Sequence, residues 1–155
     1  VAETHTVVTG SEQLVHREMM LEATLRSRQH YRDGQVISQD ILSERSRLLS
    51  GENPPELSVR LPDTVEAGET FYFDAIVSEP LGDDLILGGT LESEIGDRRA
   101  SDAEEMELEV LDTGGIFKQG QIDRENDKYR LSAAIVRNGG LIAITQRIEA
   151  KKQAR

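Results

Sequence analysis

Apolar positions repeat with two different periods along this chain, and the change falls at Pro54-Pro55. Before it the spacing is helical. Leu14, Met19, Met20, Leu21, Ala23 and Leu25 are good helix formers, and Thr9 with Glu12 three residues on has the form of a capping box. This predicts a first helix over about 12–30, fraying before Asp33-Gly34. A second helix is expected from Ser38 as N-cap, with Asp40 in the first turn and Ile41, Leu42, Leu48 and Leu49 on one face. Ser50-Gly51 ends it, and the two prolines forbid its continuation. Residues 1–10 read as a loose arm.

After the prolines the period is two, the signature of strands with one buried face. Leu57, Val59 and Leu61 alternate with polar residues, as do Phe71, Phe73, Ala75 and Val77. Leu85–Leu91 follows, interrupted by Gly88-Gly89. Met106, Leu108 and Val110 alternate with Glu105, Glu107 and Glu109, which predicts a half-buried strand with a solvated carboxylate face. A short strand is expected at Ile116-Phe117. Tyr129–Val136 and Leu141–Ile148 flank Asn138-Gly139-Gly140, a hairpin signal. GDRRASDAEE, 96–105, reads as a mobile loop. About seven strands without intervening helices favour an antiparallel sandwich over a parallel sheet. The expected fold is therefore mainly β with an N-terminal helical segment. It divides into an arm and two helices (1–53), an immunoglobulin-like antiparallel β-sandwich (54–150) and a basic tail (151–155).

Charge and composition narrow the function classes. Residues 1–55 hold six Lys/Arg against eight Asp/Glu, a net of −2; residues 56–155 hold twelve against twenty-one, a net of −9. An acidic body repels phosphate backbones, so no nucleic-acid partner is expected. No apolar run approaches the roughly 20 residues that span a bilayer, so no membrane insertion is expected either. The absence of cysteine removes disulfides, thiolate metal sites and thiol catalysis. The first residue is Val1 rather than Met, consistent with a removed signal or a trimmed chain. With the expected fold, this gives an extracytoplasmic location, periplasmic or cell-surface, as the expectation; cytoplasmic is the alternative.

Leu57–Leu61, Pro62 and Val65-Glu66-Ala67-Gly68-Glu69 lead into a strand at 70–78. Together with the later run Tyr129-Arg130-Leu131-Ser132-Ala133-Ala134-Ile135, this resembles bacterial immunoglobulin-like and fibronectin-type-III-like modules over residues 56–150. The resemblance implies a penultimate strand at 129–135 and a final partner at 141–150. It also implies that Tyr129 hydrogen-bonds back to the backbone and fixes a corner. The disulfide and core Trp of antibody domains are absent. The fold implies no active site of its own.

Candidate chemistry is sparse. Asp123, Glu125 and Asp127 alternate before the Tyr129 strand and could form a calcium site if Asp83 and Asp84 joined them. The alternative is a polar turn. His16 and His30 are too far apart on one helix to share a metal, and no P-loop, GxGxxG or GxSxG motif occurs. Leu14, Met19, Met20 and Leu21 would give the first helix an apolar face for a partner; Arg28 and Arg32, four residues apart, would either dock on the acidic sandwich or face an acidic partner. The expected function is a non-enzymatic protein-interaction or assembly module of an exported bacterial protein. It would recognise another protein or itself through the helix face, a strand edge or loops at the sandwich end. The alternative is cation or small-ligand binding by acidic loops. No cofactor is expected unless calcium is bound.

Overall fold

The computed structural model describes residues 1–96 and 104–152. Eleven strands and no helix occur among them. They are β1 (Ala2–Leu14), β2 (Arg17–Arg32), β3 (Gln35–Gly51), β4 (Leu57–Arg60), β5 (Thr64–Glu66), β6 (Thr70–Val77), β7 (Leu87–Glu94), β8 (Glu109–Val110), β9 (Gly115–Gln121), β10 (Lys128–Arg137) and β11 (Gly140–Lys151). The larger sheet runs β1-β2-β3-β11-β10-β7-β8, with β5 pairing β11 in parallel; the smaller runs β4-β6-β9.

The N-terminal helical segment is therefore overturned. Residues 1–51 form a meander of three long antiparallel strands. The alternation was present: Met19, Leu21, Ala23, Leu25 and Ser27 lie on one face of β2, and Glu18, Met20, Glu22, Thr24 and Arg26 on the other. Helix propensity is a weak preference that long cross-strand pairing overrides. Thr9 and Glu12 lie within β1 rather than in a capping box, and Ser38 and Asp40 lie within β3. Asp33-Gly34 does not end a helix. Both take positive φ, 52° and 78°, which is the demand of a two-residue type I′ turn between Arg32 and Gln35.

Three further expectations change. Only Glu109–Val110 of the predicted 105–110 strand pairs, against Leu87-Gly88, and Leu108 and Val110 stay exposed. The preceding residues cross β7 at Gly89, where an added Cβ would collide with the Glu107 carbonyl. In the Asn138-Gly139 turn only Gly139 has positive φ, as in a type II rather than a type I′ turn. The expected loop at 96–105 falls mostly on 97–103, outside the described residues.

The core lies between the two sheets. Phe71, Phe73, Ala75 and Val77 of β6 pack with Leu131, Ala133 and Ile135 of β10 and Ile142, Ile144 and Ile148 of β11. Each fully buried aliphatic or aromatic side chain contributes about 1.5–3 kcal/mol. Every buried hydrophobic residue described is Leu61 or later, and from the meander only Leu49 packs against this core. The meander joins through β3, whose Arg45–Gly51 pairs with Gly140–Gln146 of β11. Gly51, at φ 92°, crosses so close to Gly139 that a side chain would strike its carbonyl, and Asn53 N–H donates to Gly139 O at 2.9 Å. The connection into β4 is thereby fixed on the β10–β11 turn.

Candidate interaction surface

The meander has an unusual balance of length and cover. β1, β2 and β3 contain 13, 16 and 17 residues, yet most of them are exposed or half-buried. Pairing with β11 stops at Arg45, so Gln35–Glu44 and the β2 residues beside them extend roughly 33 Å past it. A sheet stabilises itself by burying a face, and among the described residues this part supplies none to the core cluster.

Its two faces differ. On the side away from the core, lateral pairing aligns Gly10, Leu21, Leu48, Ala143, Ala134 and Gly89 in one apolar row across six strands. Met19 and Leu141 lie in the next row. Leu21 is 42% exposed. On the core-facing side ion pairs cross the strands. Arg28 holds Glu3 at 2.7 Å, Arg47 holds Glu22 at 2.7 Å, and Arg45 grips Asp63 at 2.9 and 3.3 Å. These pairs are exposed, and their value is correspondingly small. The Arg28 hydrogen bond, followed by its charge, lowers the Glu3 carboxyl below its ordinary pKa. Where the meander meets the sandwich, a groove of about 220 Å³ is lined by Arg45, Arg47, Val59, Leu61, Ile144 and Gln146. Gln146 is buried and donates from Nε2 to Leu61 O at 2.9 Å and Asp63 Oδ1 at 3.2 Å, so its floor is tied down.

The free edge of β1 is the third surface. All thirteen residues pair with β2 without a register shift, and no other described strand pairs on the far side. Val7 and Val8 are more than half exposed.

The predicted partner residues fall differently from a helical face. Met19 and Leu21 point to the outer side of β2, Met20 to the core-facing side, and Leu14 sits at the end of β1. Arg28 is engaged by Glu3. Arg32 flanks the Asp33-Gly34 turn, beyond a β3 irregularity that shifts the pairing between His30 and Tyr31. The basic and apolar positions thus separate instead of forming one stripe.

The acidic residues also separate. Asp123, Glu125 and Asp127 precede β10, where Asn126 takes φ 67° and its N–H donates to Ala150 O. Asp84 lies at the other end of that strand, bound to Arg137 at 2.7 Å. About 30 Å of extended chain separates Asp127 from Arg137, so Asp83 and Asp84 do not join the other three. Among the described residues no group of three or more His, Asp or Glu could hold a metal ion. His30 contacts Asp40 across the β2–β3 hairpin at 3.2 Å. Tyr129 packs at the core margin, but its hydroxyl makes no hydrogen bond to a described residue, so the expected corner bond is absent. Burial first, then the charges of Glu94, Asp127 and Glu92, raise its phenol pKa, with Arg124 opposing.

The long unbulged edge was missed in the sequence although its residues announced it. Thr4, Thr6, Val7, Val8 and Thr9 are all β-branched, which favours strands. Residues 1–10 nevertheless read as a loose arm, because the helix-forming residues that follow offer no strand partner in the sequence.

The fold defines a β-sandwich-like, all-β domain carrying an N-terminal β-meander; among the described residues no helix is long and apolar enough to cross a membrane. The profile of the family described as "Domain of unknown function (DUF8623)" matches residues 52–151, and the chain belongs to that family. Neither a curated protein nor a solved structure shows a match. The matched span contains the whole core cluster and leaves β1, β2 and β3 outside it.

Proposed function

We propose that the protein is a non-enzymatic interaction or assembly module in which an immunoglobulin-like sandwich carries a recognition meander. Support for the sandwich comes from strand order. One sheet holds the first, second and fifth sandwich strands (β4, β6, β9). The other runs β11-β10-β7-β8, the arrangement of immunoglobulin-like folds with a C′ strand. Strand β5, pairing parallel to β11, is a short extra segment between the first two.

One observation carries the functional reading. Three strands of 13–17 residues supply only Leu49 to the core, and they present an open edge and two broad faces. Ordering a residue costs about 1–2 kcal/mol of backbone entropy alone. A segment so poorly covered is best understood as a surface completed by a partner, through strand addition or packing on the sheet.

The test is a chain beginning at Glu52 beside the full chain. The shortened chain should remain folded and melt cooperatively, because its core is intact. Any self- or partner-association of the full chain should vanish with the meander. If the shortened chain is unfolded, the meander is a structural cover and the reading is wrong.

A further inference from the structure

We infer that the protein pairs with a second copy of itself through the free edge of β1, antiparallel about a two-fold axis at Val8, making one continuous sheet across both chains. This rests on the reading of the meander as an interaction element and names its partner.

The first argument is the contrast between edges. Exposed strand edges are hazards that proteins blunt by shortness, by Lys or Pro, or by bulges. The other described edges are blunted, and the open side of β3 over Gln35–Glu44 is broken by the two irregularities in its pairing with β2. β8 has two residues and follows Glu105 and Glu107; β4 has four and ends in Arg60; β9 carries Lys118. β1 is thirteen residues long and contains no Lys, Arg or Pro, and its pairing with β2 has no irregularity. Such an edge is a template for another strand.

The second argument is self-complementarity. A two-fold axis normal to the sheet brings together residues of like parity, so the same faces remain on the same sides. Full overlap places Val8 against Val8, Val7 against Thr9, Thr6 against Gly10 and His5 against Ser11. Thr4 then faces Glu12, Glu3 faces Gln13, and Ala2 faces Leu14. No like charges are directly opposed, which antiparallel pairing requires. The contact also closes on itself: each β1 edge is consumed, and a dimer results rather than a fibre.

The third argument is electrostatic. Each sandwich portion carries a net of −9, which opposes close approach. In the paired arrangement, two β1, two β2 and two β3 strands lie between the β11 strands. At about 4.8 Å per strand these are roughly 34 Å apart, several times the Debye length of about 8 Å at physiological salt. The meander holds the acidic bodies apart while its own lightly charged edge pairs.

The test uses the full chain. Light-scattering mass is followed over roughly a hundred-fold range of concentration, as mass action requires. Val8→Lys and Val8→Glu are then measured separately and mixed. Val8 is 51% exposed, so both variants should keep the parent's circular dichroism. The expected result is a species of twice the 17.2 kDa chain, weakened at least about tenfold by either variant and restored in their equal mixture. A single-chain mass at every concentration overturns self-pairing; the wider reading then depends on whether the chain from Glu52 folds. A dimer indifferent to Val8→Lys overturns the choice of surface. Variants that dissociate but do not recover on mixing overturn the two-fold register.

Discussion

Ile148→Ala separates a core contribution from a surface one. Ile148 is fully buried on β11, beside Tyr129 of β10 and next to the residues that pair with β5. The substitution removes three carbon groups. At about 0.8 kcal/mol each, lost transfer energy is about 2.4 kcal/mol. Incomplete collapse around the void adds roughly 1–2 kcal/mol, for a total of about 4 kcal/mol. For a chain of this size that lowers the melting temperature by about 8–16 °C. Leu21→Ala is the control. It removes the same number of carbons from the outer face of β2, where Leu21 is 42% exposed, and should cost less than about 1 kcal/mol. Both are measured by thermal and urea unfolding, with two probes to check two-state behaviour and at low concentration to suppress association. Equal losses would mean that the meander face is packed within one chain, and the division between core and recognition surface would fail. A negligible loss at Ile148 would remove the core described here.

Four other outcomes follow from the same geometry. Gln146→Ala leaves the buried Leu61 carbonyl without its donor and should cost about 1–3 kcal/mol, read from urea midpoints. Gln146→Glu at neutral pH should cost more, because it sets a carboxylate against that carbonyl and Asp63. Glu3 has a lowered folded pKa, so its stabilising tie to Arg28 is present above the ordinary carboxylate range and lost as pH falls through the folded value. Amide protection at Thr4–Val7 should decline over that window, and Glu3→Gln should abolish the dependence. The raised Tyr129 pKa favours the neutral phenol in the folded state, so this stabilisation is present below the unfolded value and lost as pH rises through the folded one. Ultraviolet titration should show a late-ionising tyrosine that Tyr129→Phe removes. Finally, the net charge of −11 makes self-repulsion outweigh the exposed ion pairs, so raising salt should raise the melting temperature. A fall would reverse that balance.

The sandwich was legible because burial and period agree there. Phe71, Phe73, Ala75 and Val77 alternate in sequence and are the buried positions of β6; Ile142, Ile144 and Ile148 do the same in β11. In the meander no strong burial pattern exists to read. Met19, Met20 and Leu21 are consecutive apolar residues on opposite faces of a strand, and the same run suits a helix equally well. The local signals that distinguish the two were the β-branched run at Thr4–Thr9 and the Asp33-Gly34 turn, and each was consistent with a flank of the assumed helix. The acidic residues failed for a different reason. Nothing in the spacing of Asp83, Asp84, Asp123, Glu125 and Asp127 shows that one β10 length separates them.

The charge distribution and the open edge are connected. A long unprotected strand on a neutral chain would invite indiscriminate sheet extension. Here twenty-one of the twenty-nine acidic residues lie at 56–155. A strand approaching β1 side-on meets Glu3 and Glu12 near the two ends of the edge, with no Asp, Glu, Lys or Arg between them. Stacking through the sandwich faces brings two strongly acidic bodies together and is disfavoured over the same range in which edge pairing is not. Specificity then comes from where charge is withheld as much as from where it is placed, and the −2 of residues 1–55 beside the −9 of the rest is the sequence-level trace of that division.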